Sequence, residues 1–291
     1  MSQSQRQHQE PQHKKTTTQT TQTTKTNLQT TLIITTYNRP DALALVLESV
    51  LVQTEMPLEV VIADDGSTQE TAEVIQDFKE KCPCSIQHIW QKDEGFRLAQ
   101  IRNKAIAASK GDYLLMLDGD MVLHPQFVET QANNAQKGYF IQGSRVLLSS
   151  DLTKECIAQK KIHFTPFQAG ITNRINAINS RFLSKMLSKE KNNHIGVRGC
   201  NMAFWKQDVL RINGFNEAFQ GWGREDSEFV VRLLNSGIKR KNVKCTAVAY
   251  HLYHPENTES EKLQKNDVLL EQAIESKSVW CDLGIGRYLV D

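Results

Sequence analysis

Residues 113–120, Tyr-Leu-Leu-Met-Leu-Asp-Gly-Asp, decide how the chain is interpreted. Their apolar run predicts a buried strand that ends in two carboxylates, Asp118 and Asp120, separated by Gly119. Because alternate residues of a strand face the same side, we expect the two carboxylates to point the same way. Open α/β sheets bind ligands at the carboxyl ends of parallel strands, and paired acidic oxygens suit a divalent cation held with a phosphate-bearing substrate. The alternative is a plain Asp-Gly-Asp turn, so the neighbouring segments must decide.

The composition is that of an ordinary soluble protein. Of 291 residues, 39% are hydrophobic and 23% charged, and the net charge of +2 is too balanced for nucleic-acid binding to be the main role. Six cysteines, most of them scattered, indicate reduced, structural thiols, as expected in a cytosol. No apolar run is long enough to span a bilayer, and the N-terminus lacks the apolar core of a secretory signal. Residues 1–29 are almost wholly polar, which predicts a disordered tail.

Strands and helices alternate in the sequence ahead of the quoted stretch. Apolar and β-branched runs at 32–36 and 58–63 predict buried strands, and residues 85–90 predict a third strand. Apolar residues at helical spacing between these strands predict helices. The order β-α-β-α-β-α-β is typical of an α/β protein with a mostly parallel, Rossmann-like sheet flanked by helices.

The turns after the first two strands limit the classes of function that the sequence allows. Residues 37–40, Tyr-Asn-Arg-Pro, lack the G-x-G-x-x-G fingerprint, which argues against a dinucleotide site. The second strand ends in Asp64 and Asp65, so a second pair of acids lies at the same predicted sheet edge as the first. Ser67 and Glu70 have the spacing of a capping box for the helix that follows.

The second half of the chain has weaker patterns. Residues 150–195 fit either a mobile acceptor-recognition insert or a helical connection. Residues 221–228, Gly-Trp-Gly-Arg-Glu-Asp-Ser-Glu, combine glycines that permit close backbone approach to a ligand with acids that open a helix. Taken singly, each of these acids is also explained by the helix dipole. A strand is predicted at 243–250 and an amphipathic helix at 261–275.

These motifs together resemble GT-A fold glycosyltransferases of family 2, with a C-terminal motif similar to that of β1,4-galactosyltransferases and chondroitin-polymerase-type enzymes. The likeness runs from about residue 32 to residue 254. Its parts occur in the family's order: residues 35–40, 63–67, 94–97 with Arg102 and Asn103, 118–120, and 221–226.

The resemblance implies a UDP-sugar donor and assigns residues to it. Thr35, Tyr37 and Arg39 would line the nucleotide-base pocket. Asp65 would bind the uracil, with Asp64 nearby, and Arg97 would lie close to the diphosphate or ribose.

The resemblance also implies a metal site for Mn²⁺ or Mg²⁺. Asp120 would be the direct ligand, with Asp118 binding the ribose or the metal. His251 would complete the site, and His254 is the alternative. An imidazole ligand shifts the preference towards Mn²⁺.

The C-terminal motif would shape the sugar site and the catalytic centre. Trp222 and Gly223 would form the sugar site, Asp226 would be the catalytic base, and Glu225 would hold the acceptor or donor sugar. Arg224 stands where the galactosyltransferase motif has a glycine, which puts the sugar specificity in doubt more than the chemistry.

By this resemblance the chain is a metal-dependent inverting glycosyltransferase with one catalytic domain behind a tail at 1–29. Residues 30–145 would bind the nucleotide sugar, and residues 146–291 would bind the acceptor and supply the catalytic motif and a C-terminal helix. The expected acceptor is a glycan or lipid-linked glycan in surface polysaccharide or lipopolysaccharide synthesis. The expected place is the cytoplasm, with peripheral contact to the inner face of the cell membrane left open.

Two other functions remain as alternatives. A sugar-phosphate nucleotidyltransferase would share an α/β nucleotide fold and acidic metal ligands, but it usually carries a glycine-rich, basic phosphate loop early in the chain, and none occurs here. A non-catalytic carbohydrate-binding protein on the same fold would not need the intact set of Asp118, Asp120 and Asp226.

Overall fold

A computed structural model describes residues 28–255 and 260–289. The prediction of a disordered tail therefore lies outside the described residues, except at Leu28 and Gln29. These two residues are ordered, because the carbonyl of Gln29 accepts hydrogen bonds from the backbone amides of Asp112 and Tyr113.

The described residues contain twelve strands. In chain order they are β1 (Thr30–Thr36), β2 (Glu59–Asp64), β3 (Ser85–Trp90), β4 (Tyr113–Asp118), β5 (Met121–Leu123), β6 (Tyr139–Gln142), β7 (Arg145–Leu148), β8 (Ile171–Thr172), β9 (Lys189–Glu190), β10 (Asn201–Trp205), β11 (Lys239–Asn242) and β12 (Ala249–His251).

Nine α-helices occur in the same residues, and two 3₁₀ turns lie at Arg174–Ala177 and Ile285–Tyr288. The helices are α1 (Pro40–Leu51), α2 (Gln69–Lys81), α3 (Leu98–Ala108), α4 (Phe127–Asn134), α5 (Ser150–Gln159), α6 (Arg181–Leu187), α7 (Lys206–Arg211), α8 (Glu225–Asn235) and α9 (Ser260–Glu275).

The main sheet has eight strands in the order β3-β2-β1-β4-β10-β6-β11-β9. β1 pairs in parallel with β2 and β4, and β2 pairs in parallel with β3. β10 is antiparallel to β4 and to β6. The predicted α/β class, with a mostly parallel sheet and flanking helices, is confirmed.

Both faces of the central strands are buried, which explains their unbroken apolar sequences. Along β1 and β4, alternate residues belong to two different apolar clusters. Leu32 and Leu115 pack in one, and Ile33 and Leu114 pack in the other. Each cluster covers one face of the sheet, so the sheet edge that carries Asp118 is supported from both sides.

A second sheet, in the order β5-β12-β7-β8, brings the end of the chain back to the acids that follow β4. β5 is antiparallel to β12, with Met121 opposite His251. The backbone amide of Leu252 donates to the carbonyl of Asp120 at 3.0 Å. This pairing places His251 beside Asp120.

Asn201 joins the two sheets. Its Nδ2 donates to the carbonyls of Ser144 at 2.9 Å and Ala247 at 3.1 Å, and its Oδ1 accepts from Gln131. A Cβ at Gly143 would lie 2.4 Å from this side chain, so only glycine fits there. Strands from residues 30–145 and 146–291 are thus combined in both sheets.

Two local predictions differ from the structure. The capping box is wrong, because α2 begins after Thr68 and the Ser67 hydroxyl instead accepts from the Asn38 amide at 2.9 Å. The strand predicted at 243–250 is also wrong, since only Ala249–His251 pairs, and β11 lies earlier. Residues 150–195 contain α5, α6, two short strands and a 3₁₀ turn, and the choice between an acceptor-recognition insert and a helical connection stays a prediction.

Candidate active site

The chain turns sharply between Asp118 and Asp120. β4 ends at Asp118, and β5 begins at Met121. A Cβ at Gly119 would lie 2.7 Å from the carbonyl oxygen of Thr35, so glycine lets the turn pack against β1. The two carboxylates bind different partners, and the expectation that they share one face of a strand is wrong.

Asp120 lies against both late histidines. Its Oδ2 is 3.3 Å from Nε2 of His254 and 3.7 Å from Nε2 of His251. One ligand atom from each of the three residues lies within 4.8 Å of the others. The second oxygen, Oδ1, is buried and has no hydrogen-bond partner. The sequence offered His251 and His254 as alternatives, and the structure brings both to the same acid.

The electrostatics of this cluster fit a divalent cation. Burial, reinforced by the charge of Asp118, raises the pKa of Asp120 to about 6. Burial, reinforced by Arg145, lowers the pKa of His251 to about 4, so its imidazole is neutral and able to ligate. One carboxylate and two imidazoles suit Mn²⁺ better than Mg²⁺, which prefers oxygen ligands.

Arg102 connects Asp118 to Glu225 at the start of α8. Its guanidinium, 1% exposed, donates to Asp118 Oδ1 at 3.3 Å and to Glu225 Oε1 at 3.1 Å. The guanidinium also lies over the ring of Phe215, 5.3 Å from its centroid. The Thr35 hydroxyl donates to the same Asp118 oxygen at 3.0 Å. One buried cation therefore binds carboxylates from two distant motifs.

Glu225 and Asp226 open α8 beside this ion pair. Burial, reinforced by the charge of the adjacent Asp226, raises the pKa of Glu225 to about 7, and the charge of Arg102 opposes this shift. Asp226 accepts hydrogen bonds from the Gly199 amide at 2.9 Å and the Ser227 hydroxyl at 3.2 Å. Burial raises the pKa of Asp226 as well. Glu225 is buried, whereas Asp226 is only partly buried and remains accessible.

The loop before α8 presents Trp222 to solvent, where 46% of its surface is exposed. Core packing therefore does not explain this side chain. Gly223 has a φ of 100° and Arg224 a φ of 77°, a conformation that favours glycine. This left-handed backbone explains why the galactosyltransferase motif has a glycine at the position of Arg224. Here Arg224 adopts the same conformation and pairs with Asp267 on α9 at 2.5 Å.

The acids after β2 are fully hydrogen-bonded within the chain. Asp64 accepts from the amides of Gly66 and Ser67 and from His88. Burial raises its pKa, but these hydrogen bonds bring the net pKa below its usual value. Asp65 accepts from Gln91 and from the Arg97 amide, and burial raises its pKa. Both acids order the loops at this edge, and their roles towards a nucleotide stay predictions.

Tyr37, Arg39 and Arg97 surround the same sheet edge. The Tyr37 hydroxyl donates to Asp93 at 3.0 Å, and its ring is 46% exposed. Arg97 pairs with Glu94 at 2.8 Å. Arg39 lies close enough to Asp120 for its charge to favour the ionised carboxylate. Their assignment to the base pocket and the diphosphate stays a prediction.

Two family models match the chain. The model of glycosyl transferase family 2 matches residues 31–211, more than half of the chain. The chain belongs to glycosyl transferase family 2. A second model, the N-terminal domain of galactosyltransferase, matches residues 181–255 and covers the loop of Trp222 and both late histidines.

Among curated proteins, the chain is similar to a chondroitin synthase of Escherichia coli. The two are 29% identical over 277 residues, which is 84% of this chain and 38% of the relative. The chain thus spans less than half the length of this relative.

Among solved structures, the chain resembles GalNAc-T7 with UDP, GalNAc and Mn²⁺, and the mannosyltransferase PcManGT from Pyrobaculum calidifontis with GDP-Man and Mn²⁺. The first has a TM-score of 0.64 at 16% identity over 84% of this chain and 48% of that one. The second has a TM-score of 0.57 at 16% identity over 85% and 64%. These likenesses support the GT-A fold.

In the sequence, Arg102 is noted only as part of a motif. The feature that marks it as important is its charge, because it lies on the apolar side of α3, next to Ala99, Ile106 and other buried positions. Charged side chains are almost never fully buried unless they are paired. A search for charges on apolar helix faces would therefore have found it.

We expect Arg102→Met to lower the free energy of unfolding by roughly 3–5 kcal/mol, because it leaves two partly or fully buried carboxylates without their cation. Urea unfolding at neutral pH measures the loss. Arg211→Met is the matched control, because Arg211 is 59% exposed and its nearest carboxylate is 3.8 Å away. Equal midpoints for Arg102→Met and the wild type would show that the paired carboxylates do not depend on Arg102.

Proposed function

We propose that the chain is an inverting glycosyltransferase that moves a sugar from a UDP-sugar to a hydroxyl group of a glycan or glycolipid. One observation carries the proposal: Asp120 meets His251 and His254 at the end of β4, and Arg102 links the adjacent Asp118 to the start of α8, where Asp226 lies. A cation-binding cluster and an accessible carboxylate are thereby held in one site.

The donor would lie along the carboxyl ends of β1, β2 and β4. Residues 30–145 supply Thr35, Tyr37, Arg39, Asp64, Asp65, Arg97 and Asp118 to this half. When bound by Asp120, His251 and His254, a divalent cation would act as a Lewis acid that offsets the charge of the leaving diphosphate. The neighbouring structures with Mn²⁺ support this ion, and the one with UDP supports the donor class.

Asp226 would act as the general base on the acceptor side, within residues 146–291. A base has to reach the attacking hydroxyl group, and Asp226 is the more accessible of the two acids. Burial raises its pKa, which makes it a stronger base than an ordinary aspartate. Glu225, held by Arg102, would position a sugar hydroxyl, and Trp222 would pack against the apolar face of a sugar ring. Attack opposite the leaving group then gives inversion.

We expect Asp226→Asn to reduce sugar transfer by at least about a hundredfold while UDP binding stays near wild type, because the loss of a general base removes a factor of roughly 10²–10⁴. Release of UDP from a panel of UDP-sugars with mixed glycan acceptors measures transfer, and calorimetry measures UDP binding. Asp77→Asn, an exposed aspartate on α2, is the matched control. Full activity in Asp226→Asn would reject this base.

The same assay tests the alternative functions. A nucleotidyltransferase would form pyrophosphate from UTP and a sugar phosphate, and a carbohydrate-binding protein would form neither product. Membership of family 2 supports transfer from a nucleotide sugar over both.

We expect His251→Ala and His254→Ala each to weaken Mn²⁺ binding by at least about tenfold, since each removes one of three ligand groups around Asp120. Titration with Mn²⁺ followed by electron paramagnetic resonance reports the free ion directly. His163→Ala, an exposed histidine outside the cluster, serves as the control. If only one variant loses affinity, the other histidine is not a ligand.

The acceptor side carries an exposed apolar and basic surface. Phe167, Ile175, Phe182 and Met186 are 63–85% exposed. Residues 160–195 contain seven lysines and arginines against one acid. Within residues 28–255 and 260–289, no helix has the length and apolar character to cross a membrane. We infer peripheral contact with the anionic inner face of the cell membrane, where a lipid-linked acceptor is presented.

We expect the chain to co-sediment with vesicles that contain anionic lipids and to stay in solution with neutral ones, because both apolar and charged contacts are needed for stable anchoring. Phe182→Ser with Met186→Ser should reduce the bound fraction. The control pair is Val268→Ser with Ile274→Ser, two exposed apolar residues on α9. Binding that is unaffected by the α6 pair would place the contact elsewhere.

A further inference from the structure

A basic cavity lies beside the candidate active site. It has a volume of about 110 Å³ and is lined by residues near the ends of β6, β7 and β11 and by the segment before β10. Four cationic side chains line it, and none of its lining residues is acidic: Arg145, Arg198, Arg240 and Lys244.

The four cations have no carboxylate partner among the described residues. Arg145 is half-buried, and its side chain makes no hydrogen bond or ion pair there; its Nε is fully buried and unpartnered. Arg198 is exposed and also unpaired. The side-chain ammonium of Lys244 donates to the amide oxygen of Asn176 at 3.2 Å.

Arg240 is the buried member of the group, at 1% exposure. Its two terminal nitrogens donate to backbone carbonyls, including those of Asn193 and Ile195 at 2.9 and 3.1 Å. Its Nε has no partner. The terminal nitrogens of Arg240 thus hold the backbone of a neighbouring loop, while its Nε remains a donor without an acceptor.

The Asp226 carboxylate acts on Arg240 at longer range, without a hydrogen bond or ion pair to it. The cavity itself supplies no counter-charge to the four cations, which therefore call for an anion. Buried polar atoms nearly always have a partner, and a buried charge is stabilised when it is paired. A cavity of about 110 Å³ has room for several water molecules, and therefore for a carboxylate or phosphate group. The Asn242 amide oxygen, which is also unpartnered at the wall, is placed to accept a hydroxyl group.

The cavity opens beside the groups assigned to the acceptor. Cys200 lines it, and the preceding residue, Gly199, donates its amide to Asp226. On another wall, Arg145 lies opposite Ala249 in the β7–β12 pair, two residues from His251. The cavity thus borders both the candidate base and the candidate metal site.

We propose that this cavity binds an oxyanion group, carboxylate or phosphate, carried by the acceptor. The proposal rests on the proposed function, because it takes Asp226 as the acceptor-side base. An anchored anion would hold the acceptor so that its hydroxyl group faces Asp226. The enzyme would then select acidic or phosphorylated glycans over neutral ones through Arg145 and Arg198.

The test titrates sugars into the full chain with UDP and Mn²⁺ present, so that the donor side is filled. Methyl glucuronide carries a carboxylate, glucose 6-phosphate carries a phosphate, and methyl glucoside is the neutral control. At low ionic strength we expect calorimetry to detect at least one anionic sugar and not the glucoside. The anion that binds distinguishes a carboxylate site from a phosphate site.

Arg145→Gln and Arg198→Gln should each weaken that binding by about tenfold or more, since a hydrogen bond to a charged group has roughly this value. Arg211→Gln, the same change at an exposed position outside the cavity, should have no effect. Arg198 is exposed, so its variant keeps the test valid if Arg145→Gln fails to fold.

Equal binding of the neutral and anionic sugars, no binding of either anion, or wild-type affinity in both variants would overturn the proposal. Failure of UDP to bind would instead reject the proposed function. The sugar titration would still report on the cavity, because it does not require turnover.

Discussion

The site depends on one buried guanidinium. Arg102, on α3, binds Asp118 at the end of β4 and Glu225 at the start of α8. These carboxylates are more than a hundred residues apart and would repel each other if they were brought together alone. A buried cation between them offsets part of the free-energy cost of removing both carboxylates from water. Loss of any one member leaves a buried charge unpaired and destabilises the fold.

The second constraint is the pairing of β5 with β12. The turn at Gly119 separates Asp120 from the end of β4, and the antiparallel register of β5 and β12 places His251 beside it. His254 reaches the same carboxylate three residues later. The candidate metal site therefore depends on the small second sheet, which brings together Asp120 and two histidines from a distant part of the chain.

The start of α8 fixes the position of Asp226, the candidate base of the proposed acceptor side. Arg224 adopts a left-handed conformation that usually belongs to glycine, and its pair with Asp267 on α9 secures it. Asp226 is held by the Gly199 amide, so the segment before β10 is fixed between the base and the basic cavity. The same backbone that positions the carboxylate thereby forms a wall of the proposed anion site.

The α/β class, the first four strands and the motifs at their ends could be predicted from the sequence, because apolar periodicity and turn residues are local signals. The capping box at Ser67 failed, since the tertiary structure gave its hydroxyl to Asn38. Three contacts emerge only from the folded chain: Asp118 and Asp120 bind different partners, both His251 and His254 meet Asp120, and Arg102 joins two motifs. These contacts depend on strand register and buried charge between residues far apart in the chain, which no local pattern encodes.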